Sequence, residues 1–286
     1  HHAEAIRTAR TGVMLSSVDE AHRVLLVTSS VPAEGKTSTA INLALALAQT
    51  KRTLLIDLDA QCNATQYVLG DEPIQPRHSV AEFFEQSLTY RFSKLDVDDF
   101  VRNTPWPNLD LMPGSPALAD LHTKLESRSK FKTLAKALDE LSRYEEIVID
   151  TPPALNFYTR SALIAADGCV IPFDCDDFSR QALYNLLDSV EEIRDDHNER
   201  LRIEGILVNQ FLPRASQPTR IVQALIDEGL PVLDAKLSAS VKIRESHDAS
   251  KPMIAFAPNH KLTEEFIAVY DELERNAARA KKAGKH

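Results

Sequence analysis

The chain has 286 residues, a formal net charge of -9, and 43% hydrophobic and 26% charged residues, the balance of a globular protein long enough for one large α/β domain or at most two small ones. No uninterrupted apolar run approaches the ~20 residues that a membrane-spanning helix needs, and no secretory signal pattern is expected. The acidic balance excludes a uniformly basic nucleic-acid binder while leaving room for a local basic patch.

In chain order, Glu4, Arg7 and Arg10 in EAIRTAR fall at i, i+3 and i+6, the spacing of neighbours on a helix, so residues 1–22 are expected to form a helical extension. Val24 to Val27 read as a buried strand. It breaks into the polar loop TSSVPAEGKT, and a helical repeat of Ile, Leu and Ala follows from Ala40 to Ala48. Between strand and helix, Gly35-Lys36-Thr37 is the phosphate end of a P-loop: helix-start N–H groups face an anion, Lys36 neutralises it and the Thr37 hydroxyl can ligate Mg²⁺. Glu34 and Ser38 flank this tripeptide and join Gly35, Lys36 and Thr37 in the expected nucleotide-binding set. The full pattern G-x-x-x-x-G-K-[ST] is broken, because Ser30 holds the place of its first glycine.

Thr53 to Asp59 (TLLIDLD) is a second apolar run, ending in two acids. A strand apolar on both faces belongs in a parallel sheet, whose ligands gather at the carboxyl ends of the strands. Asp57 and Asp59 share a face if the strand continues that far. From Gly70 to Pro116 the pattern loosens around a helical piece near Ser79 to Gln86 and a strand at Leu109 to Met112. Helical periodicity returns from Lys130 to Leu141. Glu146 to Pro153 (EIVIDTPP) then delivers Asp150 in the manner of a Walker B strand, whose carboxylate meets a Mg²⁺-bound water.

Beyond it, strands are expected at Gly168 to Phe173, Ile203 to Val208 and Val232 to Leu237, alternating with helices at Ser179 to Arg194, Thr219 to Glu228 and Thr263 to Arg279. This alternation predicts a single α/β domain of the P-loop NTPase class over residues 1–286, its mostly parallel, twisted sheet covered by helices on both faces. The basic tail, residues 275–286, reads as a solvated helix end whose cations suit the helix dipole. Cys62, Cys169 and Cys175 lack metal-site spacing and read as reduced core thiols, which points to the cytoplasm.

The segments TSSVPAEGKTSTAINLA, LLIDLDAQCNAT and EIVIDTPPALNFYTRSALIAADGCVIPFDCDDFS together resemble the ParA/MinD-type ATPases of the deviant Walker A class, ParA partition proteins above all, over about Val24 to Leu273. The resemblance implies ATP and Mg²⁺ as cofactors, hydrolysis of ATP, a nucleotide-switched homodimer, non-specific DNA binding on the nucleoid, and a stimulating partner of the ParB kind, in the service of plasmid, chromosome or other cargo. Carried over by position, Lys36 and Thr37 hold phosphate and metal, Asp150 lies in the magnesium shell with Asp57 nearby, Asp59 positions the attacking water, and Asn209 meets the adenine. Arg214 and Lys242 fall where that family places basic residues implicated in DNA binding, with Arg220, Arg244 and Lys251 as neighbours.

The family's signature lysine falls on Val31 and its glycines on Pro32 and Ala33, a departure that bears on the dimer, since that lysine reaches the partner subunit's nucleotide. TSSVPAEGKT and EAIRTAR are instead similar to bacterial tyrosine kinases of capsule assembly, over about the first fifty residues, where an E-x-x-R-x-x-R motif supports ring assembly. Two alternatives therefore stand beside the partition ATPase: a nucleotide-binding scaffold with little turnover, and a kinase-like regulator of polysaccharide assembly.

Overall fold

The computed structural model describes residues 23–70, 78–89, 94–212 and 215–283. Seven strands form one sheet in the order β3-β4-β2-β5-β1-β6-β7. They are β1 Arg23–Val27, β2 Thr53–Asp57, β3 Arg102–Asn103, β4 Leu109–Met112, β5 Glu146–Asp150, β6 Gly168–Asp174 and β7 Arg202–Asn209. All neighbours are parallel except the two-residue edge strand β3, which runs antiparallel to β4. The predicted mostly parallel α/β class is what the chain adopts.

Side chains alternate across each strand and sort into two cores. Val24, Leu26, Leu54, Ile56, Ile147 and Ile149 face the first, and Leu25, Val27, Leu55, Val148, Val170 and Leu207 the second. Five helices over the first core are α3 Val80–Leu88, α4 Leu118–Ser127, α6 Phe157–Ala165, α7 Asp177–Asp196 and α8 Ser216–Asp227, with the short α5 Thr133–Leu138 among them. The second core is covered by α1 Lys36–Ala48, α2 Asn63–Leu69, α10 Met253–Phe256 and the long α11 Lys261–Ala283, with α9 Lys242–Asp248 contributing Ile243 at its edge. Helix α1 is buried along its length because AINLALALA is apolar all round, and its alanines let it lie close to the sheet.

At the amino ends of the strands, Lys51 Nζ meets Glu146 at 2.6 Å and Glu274 at 2.7 Å, while Arg23 meets Glu274 at 2.9 Å and Glu204 at 3.8 Å. This charged clamp ties α11 to the base of the sheet, leaving the opposite, carboxyl edge for the loops that carry Lys36, Asp59 and Asp150.

Three expectations need correction. Val232 to Leu237 is not a regular strand: besides a bond from the Leu237 N–H to the Val208 carbonyl at 2.9 Å, it meets β7 through an isolated bridge at Ile206 and Val232. Its next amides turn away, with Asp234 and Ala235 donating to the Glu272 carboxylate at 2.9 and 2.8 Å, so a helix side chain takes the donors that a ladder would use. The second strand stops at Asp57, two residues before Asp59. Lys130 to Leu141 is a 3₁₀ turn, Lys130–Lys132, followed by the six-residue α5. Residues 1–22, with Glu4, Arg7 and Arg10, lie outside the described residues, as do the last three of the basic tail.

Candidate functional site

The loop after β1 closes on itself without the usual glycines. Glu34, 1% exposed, accepts from the Val31 N–H at 3.0 Å and the Ser30 hydroxyl at 3.2 Å, and its other oxygen faces the Asp174 N–H at 3.5 Å. Burial pushes its carboxyl above the usual range, against the pull of these donors. Ala33 adopts a left-handed φ of 66°, a conformation that suits glycine. An internal carboxylate thus braces the loop where the related pattern has glycines, and Val31 offers an apolar side chain where that pattern has lysine.

Helix α1 begins at this brace. Its N-cap is Gly35, at φ 81° and with no side chain to cap the helix. The first intrahelical bond recorded there is from the Thr39 N–H to the Gly35 carbonyl, at 2.9 Å, so the N–H groups of Lys36, Thr37 and Ser38 form the open positive end of the helix dipole. Lys36 is 6% exposed and donates to Ser29 Oγ at 3.0 Å. Burial lowers its ammonium from the ordinary value, while Asp150, Glu34 and Asp59 hold it up. Asn209, at the end of β7, donates to the Glu34 carbonyl at 2.9 Å. A Cβ on Gly35 would stand 2.3 Å from Asn209 Nδ2, so glycine is required both for the turn and for this close approach.

Beside it lies a crowded acidic wall. Parallel register sets Asp57 opposite Asp150. Asp57 is fully buried, and its carboxylate accepts from the Thr65 N–H at 2.9 Å, the Thr65 hydroxyl at 2.7 Å and the Asp59 N–H at 3.1 Å. Asp150 accepts from the Thr37 hydroxyl at 2.8 Å, and its second oxygen is buried with no partner. Burial first, then the facing charge of Asp57, raises the Asp150 carboxyl well above the carboxylate range. Asp57 is raised by burial as well, to about 6. Asp59, 8% exposed, accepts from the Gln61 N–H at 2.9 Å.

An orphaned carboxylate oxygen, a threonine hydroxyl and crowded negative charge fit a hard divalent cation, and Mg²⁺ characteristically takes only one or two protein oxygens and completes its shell with phosphate and water. Among the described residues no cluster of three or more His, Cys, Asp or Glu makes a metal cage by itself. Thr37 and Asp150 are the side chains that would hold it.

The expected set Glu34, Gly35, Lys36, Thr37, Ser38, Asp57, Asp59, Asp150 and Asn209 is therefore gathered at one edge of the sheet, although Asp57 faces inward to Thr65 and Asp59. Sequence reasoning missed Ser29, Thr65 and Asp174, which hold Lys36, Asp57 and the Glu34 brace. Ser29 and Thr65 lie inside the very segments that carry the resemblance, and their hydroxyls were the available signal. The basic candidates are not brought together in the same way. Arg214 lies outside the described residues, and Lys242 pairs with Glu245 at 2.5 Å. Arg220 is exposed on α8, in the other layer from α9. The three cysteines are free and buried, their thiols pushed up to about 12 by burial.

The family profile described as AAA domain matches residues 26–203. The chromosome partitioning protein ParA of Myxococcus xanthus is 30% identical over 258 residues, covering 88% of this chain and 87% of its own length. The solved fold of apo McdA from Cyanothece superposes with a TM-score of 0.78 at 21% identity, over 88% of this chain and 99% of that one. Cobyrinic acid a,c-diamide synthase from Mycobacterium smegmatis, solved with a bound ATP analogue and magnesium, gives 0.76 at 24% identity over 89% and 94%. With a profile spanning more than half of its length and a ParA relative aligned along most of both chains, this chain belongs to the AAA-domain P-loop ATPases of the ParA type.

Proposed function

We propose that the chain is a slow, partner-stimulated partition ATPase whose switch is Mg²⁺·ATP bound at Lys36 and Thr37. The observation that carries this reading is the uncapped start of α1 with a buried lysine inside it and a threonine already paired with a buried, half-satisfied aspartate. Phosphates settle on the N–H groups of residues 36–38, and Lys36 neutralises the transferring group. Mg²⁺ held by Thr37 and Asp150 would supply charge neutralisation there. Asp59, which leaves the sheet two residues after Asp57, orients the attacking water; catalysis of this kind is positioning and electrostatics.

The wider cycle follows the relatives. An ATP-dependent homodimer would meet across the carboxyl edge of the sheet, where Phe178 is 76% and Leu155 38% exposed just beyond β6 and β5. Without a lysine at position 31, such a dimer rests on apolar contacts of this kind. Non-specific DNA on the nucleoid would be met by the exposed Arg244 and Lys251 together with Lys242 and Arg214, and a ParB-like protein would raise turnover. Among the described residues no helix is long and apolar enough to cross a membrane. The braced, glycine-poor loop favours one second reading, a nucleotide-binding scaffold with little turnover.

Phosphate release and nucleotide binding separate these readings. Lys36→Ala is expected to abolish ATP binding, because the loop TSSVPAEGKT holds no other cation to face the phosphates. Asp59→Ala should bind normally and lose turnover, since it acts in the transition state. Wild-type hydrolysis in the Asp59 variant makes that residue structural, and negligible phosphate release by the wild type with both DNA and partner present makes the chain a scaffold.

A further inference from the structure

Helix α9 was not expected as an element, and its last turn ends beside the phosphate loop. His247 Nε2 lies 2.8 Å from Ser38 Oγ, joining residues 209 positions apart in the chain. The imidazole stands edge-on to Tyr67 of α2, with ring centroids 4.6 Å apart at 70°. The Tyr67 hydroxyl lies 2.5 Å from Ser246 Oγ, and Ser246 donates to the Ile243 carbonyl at 2.8 Å. The ring is therefore held from two other helices while remaining solvent-accessible. Thr37, Asn63, Gln66, Tyr67, His247 and Ser250 together line a cavity of about 350 Å³.

Thr37 belongs both to this cavity and to the open helix start. A phosphate seated on the N–H groups of Thr37 and Ser38 lies along the cavity's inner wall, one hydrogen bond from a group that already bonds Ser38. Among the described residues the other lining groups are amides and hydroxyls without charge, and His247 is the one imidazole, already hydrogen-bonded to Ser38. Partial burial lowers its pKa from the ordinary value, with Asp248 opposing.

We propose that His247 is a nucleotide ligand: when Mg²⁺·ADP or Mg²⁺·ATP binds, its ring exchanges Ser38 for a phosphate oxygen and draws helix α9, with Lys242 and Arg244, onto the nucleotide. This rests on the reading that Lys36 and Thr37 hold the phosphates. It gives the chain a direct mechanical link between the occupied site and the helix that carries Lys242 and Arg244.

The test is calorimetric titration of Mg²⁺·ADP into wild type, His247→Ala, His247→Gln and Lys36→Ala, with amide hydrogen exchange followed over residues 242–248. His247→Ala is expected to weaken ADP roughly tenfold, the worth of one hydrogen bond, and His247→Gln to recover most of that loss. ADP should slow exchange in 242–248 in wild type and not in His247→Ala. Equal affinity and equal protection in wild type and His247→Ala, with binding lost in Lys36→Ala, overturn the proposal and leave the phosphate site standing. Weakened binding in both His247 variants with protection unchanged assigns the ring to packing on Tyr67 and overturns it too. Retained ADP affinity in Lys36→Ala removes the phosphate site itself.

Discussion

Gly35→Ala probes the phosphate loop through two separable costs. The native φ of 81° charges a residue with a Cβ about 1–2 kcal/mol in the left-handed region. The new Cβ would also stand 2.3 Å from Asn209 Nδ2, so the amide must swing away and give up its 2.9 Å bond to the Glu34 carbonyl, at about 1 kcal/mol. Urea denaturation should therefore show Gly35→Ala destabilised by roughly 2–3 kcal/mol and Asn209→Ala by about 1 kcal/mol. In the double variant the amide is already gone, so only the backbone cost remains on top of the Asn209 loss. The cycle should then close with a coupling of about 1 kcal/mol. Strict additivity would refute the close-approach argument, and a Gly35→Ala variant as stable as wild type would refute the backbone argument as well.

Acid–base behaviour should expose the crowded wall. The folded-state carboxyls of Asp57 and Asp150 are raised, Asp57 to about 6, above the ordinary value of 3.8. The folded protein therefore holds more protons than the unfolded one between these values, and unfolding free energy without nucleotide should fall as pH rises through that window, at up to about 1.4 kcal/mol per pH unit for each group. The fall should flatten in Asp150→Asn or with saturating Mg²⁺·ADP; a pH series of urea unfolding curves with identical slopes in all three would contradict this. Lys51→Met leaves Glu146, 3% exposed, without its ion pair, the like charge of Glu274 working against the pull of Arg23. About 2–3 kcal/mol of stability should go with it, largely restored by Glu146→Gln in the same chain, as thermal unfolding would record. If Lys242 reaches a DNA phosphate, Lys242→Ala should flatten the slope of log affinity against log salt by about 0.9. An unchanged slope in a duplex titration with ATP analogue leaves Lys242 in its pair with Glu245.

The carboxyl-edge chemistry was legible in the sequence because it is written in contiguous stretches. Val24 to Val27, Thr53 to Asp59 and Glu146 to Pro153 hold apolar runs of strand length, and a run buried on both faces has few other solutions than a central parallel strand. Gly35-Lys36-Thr37 at a strand-to-helix junction, with Asp57, Asp59 and Asp150 at the ends of neighbouring runs, then marks one edge of the sheet. Periodicity reports whether a residue is buried, not which residue it meets. Only the tertiary structure set Asp57 opposite Asp150 through the register of β2 and β5, folded Glu34 back as a brace, and brought His247 to Ser38. It also unmade the expected strand from Val232 to Leu237, whose apolar pattern is genuine. The amides of Asp234 and Ala235 are claimed by Glu272, 38 and 37 residues further on, and no local pattern can announce a competitor for a hydrogen bond that arrives from a distant helix.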